Sequence, residues 1–215
     1  MRAVKVPHLV VAGLVGTSLL TGSSIALATT TAVHNAPAQP LKTAQLTEAG
    51  ISLGYPATWI RYRLTKQGLA AQQRQLAKSN PGLALTPSEQ AQALKAYKFV
   101  AIDPDPSSAS YQSNINVLTF SGGFPSNLDE FTSVVSAEYQ QRGATVSDTS
   151  TAAVDGETFY RVDLRSLVTP RGQARISQLA VPHDGGGTLV SVPTEDNPAG
   201  ASLVDAVLRS VRPLS

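Results

Sequence analysis

Three histidines, no cysteine and a single tryptophan bound the chemistry open to this 215-residue chain. Histidine is the side chain best suited to general-base or metal-ligand work near neutral pH. His8 and His34 fall in segments that read as a leader and a tether, which leaves His183, in the turn-rich "VPHDGGG", for the folded body. A histidine-rich metal site is excluded by count, and the lack of cysteine removes thiol nucleophiles and thiolate metal sites. A serine hydrolase needs its nucleophile on a strained turn such as G-x-S-x-G, with a histidine in reach. The nearest imitation is Ser121 in "FSGGFPS", with His183 as a base; the plainer reading of that stretch is a loop from strand to helix. Asp103 and Asp105 in "IDPDPSS" alternate with prolines, a turn-making pattern that offers at most a weak pair of calcium ligands. There is no G-x-G-x-x-G, and "DGGGT" lacks the lysine and following helix of a phosphate cradle. No cofactor and no metal follow from these residues, and no catalytic set.

Charge is more informative than any single residue. From Arg61 to Lys98 there are seven basic residues and one acid, Glu89; from Asp103 to Asp163 there are nine acids and two arginines. Arg61, Arg63, Lys66, Arg74 and Lys78 are therefore the candidate partner-binding residues. A lobe built from them could steer an anionic partner or lie against an anionic membrane. The plain alternative is ordinary solvated helices. Tyr97, Tyr111, Phe124 and Tyr160 are candidates for lining an apolar ligand cleft.

Residues 1–28 carry Arg2 and Lys5, an apolar run from Leu9 to Leu20, and a small-x-small pattern at Ala26 and Ala28. Those are the parts of a secretory signal peptide, with cleavage expected after Ala28. The apolar run is 12 residues long, against roughly 20 for a bilayer span; an uncleaved N-terminal anchor is the minor alternative. Without the leader, fifteen basic residues face fifteen acidic ones. A neutral domain argues against nucleic acid as the partner.

The elements that must position these residues follow from periodicity. Residues 29–43, rich in Thr, Ala and Pro, read as a flexible tether, and structure is expected from Ala44 to the C-terminus. Ile51 and Leu53 alternate with small polar residues up to "YP", and Ile60, Tyr62 and Leu64 alternate again, both strand-like. Residues 66–97 read as a helical insertion, interrupted at "NPG" and including Tyr97 in its second helix. "KFVAID" and "NINVLTF" are strands. "PSNLDEFTSVVSAEYQQRG" is a helix with a capping-box pattern at Ser126 and Asp129 and a terminal Gly143. Three strands follow, the last two joined by a hairpin at "PHDGGG". A closing helix carries Leu203, Val204, Val207, Leu208 and Val211 on one stripe and is ended by Pro213. Short connections between the late strands predict an α+β fold, an antiparallel sheet with helices packed on its faces.

"GISLGYPATWI", a short strand running into Y-P-x-x-W, resembles the opening of PsbP-like domains. "NINVLTF", "SNLDEF", "VDGETFYRVDL", "QLAVPHDGGGTLVSV" and "LVDAVLRSVRP" resemble that family's later elements in the same order, over roughly residues 50–213. The exported actinobacterial proteins of the LpqN/LpqT kind are the most similar members by this reading, although a chain without cysteine lacks their lipid attachment. The resemblance implies an α/β/α sandwich and a non-enzymatic accessory role in the cell envelope, with a protein or lipidic partner. It makes Trp59 a structural residue that closes a strand rather than a stacking platform. A small-molecule or lipid carrier is the alternative function, and a secreted serine hydrolase a weaker one.

Overall fold

The computed structural model describes residues 40–68, 70–71, 97–104, 113–140, 143–169 and 172–214. The segment read as a signal peptide, most of the stretches read as tether and helical insertion, and Arg74, Lys78 and Tyr111 lie outside the described residues. Ten strands and two helices follow one another along the described chain. They are β1 (Leu41–Leu46), β2 (Ile51–Pro56), β3 (Ile60–Arg61), β4 (Tyr97–Ile102), β5 (Asn114–Ser121), α1 (Leu128–Gln140), β6 (Thr145–Val154), β7 (Glu157–Thr169), β8 (Gly172–His183), β9 (Gly186–Glu195), α2 (Pro198–Arg209) and β10 (Arg212–Pro213). Seven strands form one antiparallel sheet in the order β3-β4-β5-β9-β8-β7-β6, and β1, β2 and β10 form a second. The fold is α+β and mostly antiparallel, as the short connections predict.

Each face of the large sheet has its own core because alternate strand residues point opposite ways. On one face Phe99, Ala101, Ile115, Val117, Leu179, Val190 and Val192 meet Ile51, Leu53 and Tyr55 of β2 and the Val204, Val207 and Leu208 stripe of α2. On the other, Val162, Leu164, Ile176 and Leu189 receive Phe131, Val135 and Tyr139 of α1. A third group, Tyr62, Tyr97, Val100, Ile102 and Leu118, continues that face toward β3.

Local chemistry sets the ends of the helices. At α1 the cap lies one residue later than the Ser126–Asp129 box expected from the sequence. Asn127 accepts from the Glu130 amide at 2.9 Å, and the Glu130 carboxylate reaches back to the Ser126 amide at 2.9 Å. Asn in place of Ser as cap moves the acidic member to Glu130. Asn197 caps α2, accepting from the Gly200 amide at 2.8 Å, with Pro198 in the first turn, where a missing N–H costs nothing. The closing helix ends at Arg209, not at Pro213. Arg212 and Pro213 run on as β10 against Ser52 and Ile51, and Ser210 Oγ accepts from the Gly54 amide at 2.7 Å.

Three other expectations are corrected. β1 begins at Leu41, inside the stretch read as tether, where it pairs with Pro56. Tyr97 is a strand residue: it opens β4, and a register irregularity between Tyr97 and Phe99 sends these two aromatics to opposite faces. The strand-like alternation at residues 60–64 is realised only at Ile60–Arg61, paired with Ile102 and Ala101.

Candidate functional site

Arg61, Arg63 and Lys98 converge on one end of the large sheet. β3 is its edge strand, two residues long, and the chain leaves it through Tyr62, Arg63 and Leu64 toward Lys66, where a helical turn begins. Arg61, Tyr62, Arg63, Leu64 and Lys98 line a cleft of ≈ 480 Å³ there. The Arg61 guanidinium sits 5.4 Å from the centroid of Phe99, whose ring also meets Tyr55 edge-on at 5.4 Å. An arginine seated on an aromatic face has fewer rotamers to lose when it takes an anion. Tyr62 is pinned to the sheet by its amide, which donates to Val100 O at 2.8 Å. Lys98 is held by Glu48 at 2.8 Å, and the ammonium beside it draws that carboxyl below its usual range. The cleft thus presents two arginines and one lysine, with an acid at its rim.

Of the aromatics read as pocket-lining residues, Tyr97, Phe124 and Tyr160 are brought to one face of the sheet but in separate groups. Tyr97 is buried with Val100, Ile102 and Leu118, and burial pushes its hydroxyl up to about 12. Phe124 lies 5.7 Å from Phe120 and packs against β9 at Gly187, where any Cβ would run into its ring. Tyr160 donates its hydroxyl to Ser126 O at 2.8 Å and packs under α1. Phe120 touches both groups. Phe124 and Tyr160 therefore fasten the loop before α1 onto the sheet. Trp59 is 6% exposed and belongs to the β2–α2 core, its amide donating to Pro56 O at 3.0 Å.

Ser121 and His183 flank Gly186 from β5 and β8 respectively. Two strand spacings, about 9.5 Å, separate their backbones, and no hydrogen bond joins the two. His183 is exposed, with Nε2 3.5 Å from Thr188 Oγ1, a hydroxyl that donates to Ala49 O at 2.8 Å. Asp103 follows β4, its amide donating to Ser113 O at 3.0 Å, while Asp105 lies outside the described residues. Among the described residues, no group of three or more His, Asp or Glu is placed to hold a metal, and no helix is long and apolar enough to cross a membrane.

Two groups of polar residues, one half-buried and one buried, were not foreseen from the sequence. Beneath α2, Arg161 grips both carboxylate oxygens of Asp163 at 3.0 and 2.9 Å and reaches Asp205 of the helix at 2.9 Å. On the opposite face Asn114, Asn116, Ser191 and Gln178 are all buried. Periodicity gives no warning of either, because a polar residue at an inward position looks the same in sequence as a lapse in the pattern.

No family model and no curated protein matches this sequence. Solved structures do. The solution structure of cyanobacterial PsbP (CyanoP) from Synechocystis sp. PCC 6803 superposes with a TM-score of 0.50 at 17% identity, over 85% of this chain and 98% of that one. A mutant of Mog1 follows at TM-score 0.48 and 11% identity, over 82% and 97%. A Pseudomonas aeruginosa protein of unknown function, PA94, described as a putative regulator, follows at 0.36 and 11%, over 74% and 85%. The chain has a PsbP-like fold.

Proposed function

We propose that this protein is an exported, non-catalytic accessory domain that binds an acidic segment of a cell-envelope protein in the cleft beside β3. The observation that carries the reading is the convergence of Arg61, Arg63 and Lys98 on one ≈ 480 Å³ cleft at the short edge of the sheet. Lys66 follows within one helical turn and extends the same charge. Charge complementarity of this kind raises association rates and selects partners by sign. A protein partner is favoured over a lipid surface because Leu41 is the one large hydrophobic exposed among the described residues. A domain lying on a membrane needs an apolar face to insert. Export follows from the leader at residues 1–28, and kinship with the LpqN/LpqT-type proteins belongs to the same proposal.

The test is a photo-cross-linker placed at Lys66 in the native host, followed by identification of the captured protein. Its binding is then measured against a double charge reversal, Arg61→Glu with Arg63→Glu. Capture of one acidic partner, weakened at least tenfold by the reversal and strongly by added salt, is the expected result. Binding indifferent to the reversal sinks the cleft as the docking site. Co-sedimentation with phosphatidylglycerol vesicles, without a cross-linked protein, replaces the protein partner with a lipid one.

A further inference from the structure

The described residues form two sheets, and four strands stand at their edges: β3 and β6 of the large sheet, β1 and β10 of the small one. β3 and β10 are two residues long, β10 ends in Pro213, and β1 carries Lys42 within its six residues. β6 is the longest of the four, at ten residues. What protects it sits at one end only: the register irregularity falls between Val146 and Asp148, and Asp148 is the only charge on the strand. From Thr149 to Val154 there is no charge, proline, glycine or bulge, and Ser147 to Ala153 are all exposed. Among the described residues only β7 pairs with it. A long edge without such devices offers its free N–H and C=O groups to another strand.

We propose that β6 pairs antiparallel with β6 of a second copy of this chain, about a two-fold axis at Thr151. The regular ladder to β7 runs from Asp148 to Val154, and Thr151 is the midpoint of those seven residues. Rotation about Thr151 sets residue 148 against 154, 149 against 153 and 150 against 152. Directly opposed residues share a face, and on both faces the strand complements itself. On the α1 face Thr149 meets Ala153 and Thr151 meets its own twin; on the α2 face Asp148 meets Val154 and Ser150 meets Ala152. No like charges are opposed, and a Thr–Thr pair is favourable. The small, nearly neutral side chains give a charged segment nothing to recognise, whereas an identical strand fits in register. A two-fold contact occupies β6 in both copies and closes at two chains, because the other edge of the sheet, β3, is short and cationic. One strand pairing is small beside the ~1,600 Å² of a standard interface, so the dimer is weak and forms with rising concentration. It leaves the two cationic clefts at the outer edges of the joined sheet.

The experiment is sedimentation velocity of the full chain over about a hundredfold range of concentration. The expected result is a mass that climbs from one chain toward two and stops there. Thr151→Lys and Thr151→Glu each set like charges face to face at the axis; each should weaken the dimer about tenfold or more, and mixing the two variants should restore it. Circular dichroism of each variant alone, unchanged from the parent, guards against loss of fold. The chain has no cysteine, so an introduced one reports the register. Opposed residues stand about 4.5–5.5 Å apart at Cα, within disulfide reach. Thr151→Cys should therefore cross-link to its twin under mild oxidation, and Ala153→Cys, whose twin faces Thr149, should not. A one-chain mass at every concentration, a dimer indifferent to Thr151→Lys, or assemblies that keep growing beyond two chains overturns the proposal. So does a photo-cross-linker at Thr151 that captures another protein instead of a second copy. The contact shares no residue with the cationic cleft, so the Arg61→Glu, Arg63→Glu variant keeps the dimer; either result can fail without the other.

Discussion

The two edges of the seven-stranded sheet solve the same problem in opposite ways. An edge strand exposes unpaired backbone groups that invite another strand. At one edge β3 is cut to two residues and its neighbourhood is crowded with charge: Arg61 over Phe99, Arg63 beside it, and Lys98 with Glu48. At the other, β6 runs for ten residues as "TVSDTSTAAV", with its central residues exposed on both faces. It carries one charge, Asp148, and a register irregularity between Val146 and Asp148. The short edge is built on buried aromatics; the long one is held by its ladder to β7 and by the tight turn at Asp155 and Gly156, both at positive φ. The lesson is that charge gathers where the sheet edge is shortest and its support deepest.

The largest test of that contrast is substitution at Phe99, which is 1% exposed. Phe99→Ala should cost about 3–5 kcal/mol of stability in a denaturant titration, and it removes the seat of Arg61. Thr151→Ala, in the middle of β6, should stay within about 0.5 kcal/mol. Comparable losses at both sites would abolish the distinction between the edges. Next in size is the alkaline limb of the stability profile. Tyr97 is raised to about 12 by burial, against about 10 in the unfolded chain. The native state therefore holds this proton more tightly, and stability falls as pH rises from about 10 through 12. Tyr97→Phe should flatten that fall, and absorbance near 295 nm should show one fewer late-titrating tyrosine in the variant than in the parent protein. The smallest expected effect is Glu48→Gln. It releases Lys98 from its 2.8 Å partner and should tighten binding of an acidic peptide to the cleft about two- to fivefold at low salt, with little change at high salt. A loss of affinity would mean that Glu48 positions Lys98 rather than competing for it.

Elements that bury one face were legible in the sequence. The α1 stripe of Phe131, Val135 and Tyr139 and the α2 stripe of Val204, Val207 and Leu208 announce themselves at helical period, and the hairpin turn at Asp184–Gly185 announces itself by composition. β6 was not predicted, because a strand exposed on both faces has no apolar alternation to display; the Asp-Gly turn that follows it was the available signal. The helical reading of Tyr97 failed for the opposite reason. A bulge broke the period-two pattern at the start of β4, so Tyr97 aligned by chance with Leu94 three residues earlier. Arg61, Arg63, Lys66 and Lys98 were all legible as members of one charge run, but only strand pairing shows that Lys98, more than thirty residues on, joins Arg61 and Arg63 at the cleft. The buried row of Asn116, Ser191 and Gln178 was invisible, since three residues drawn from three strands meet only once the register is set.

Ser210 and Gly54 are 156 positions apart in the chain and are joined by a hydrogen bond. The same seam includes β10 on β2 and the Leu214 amide on Gly50 O at 2.8 Å. The small sheet therefore waits for residues 212–214: until they emerge, β2 has a neighbour on one side only, and the core between it and α2 stays open. Closing so long a loop comes late and slowly. A nascent chain of this protein stays pliable until residues 210–214 have emerged, so deleting them should harm folding far more than their few contacts suggest.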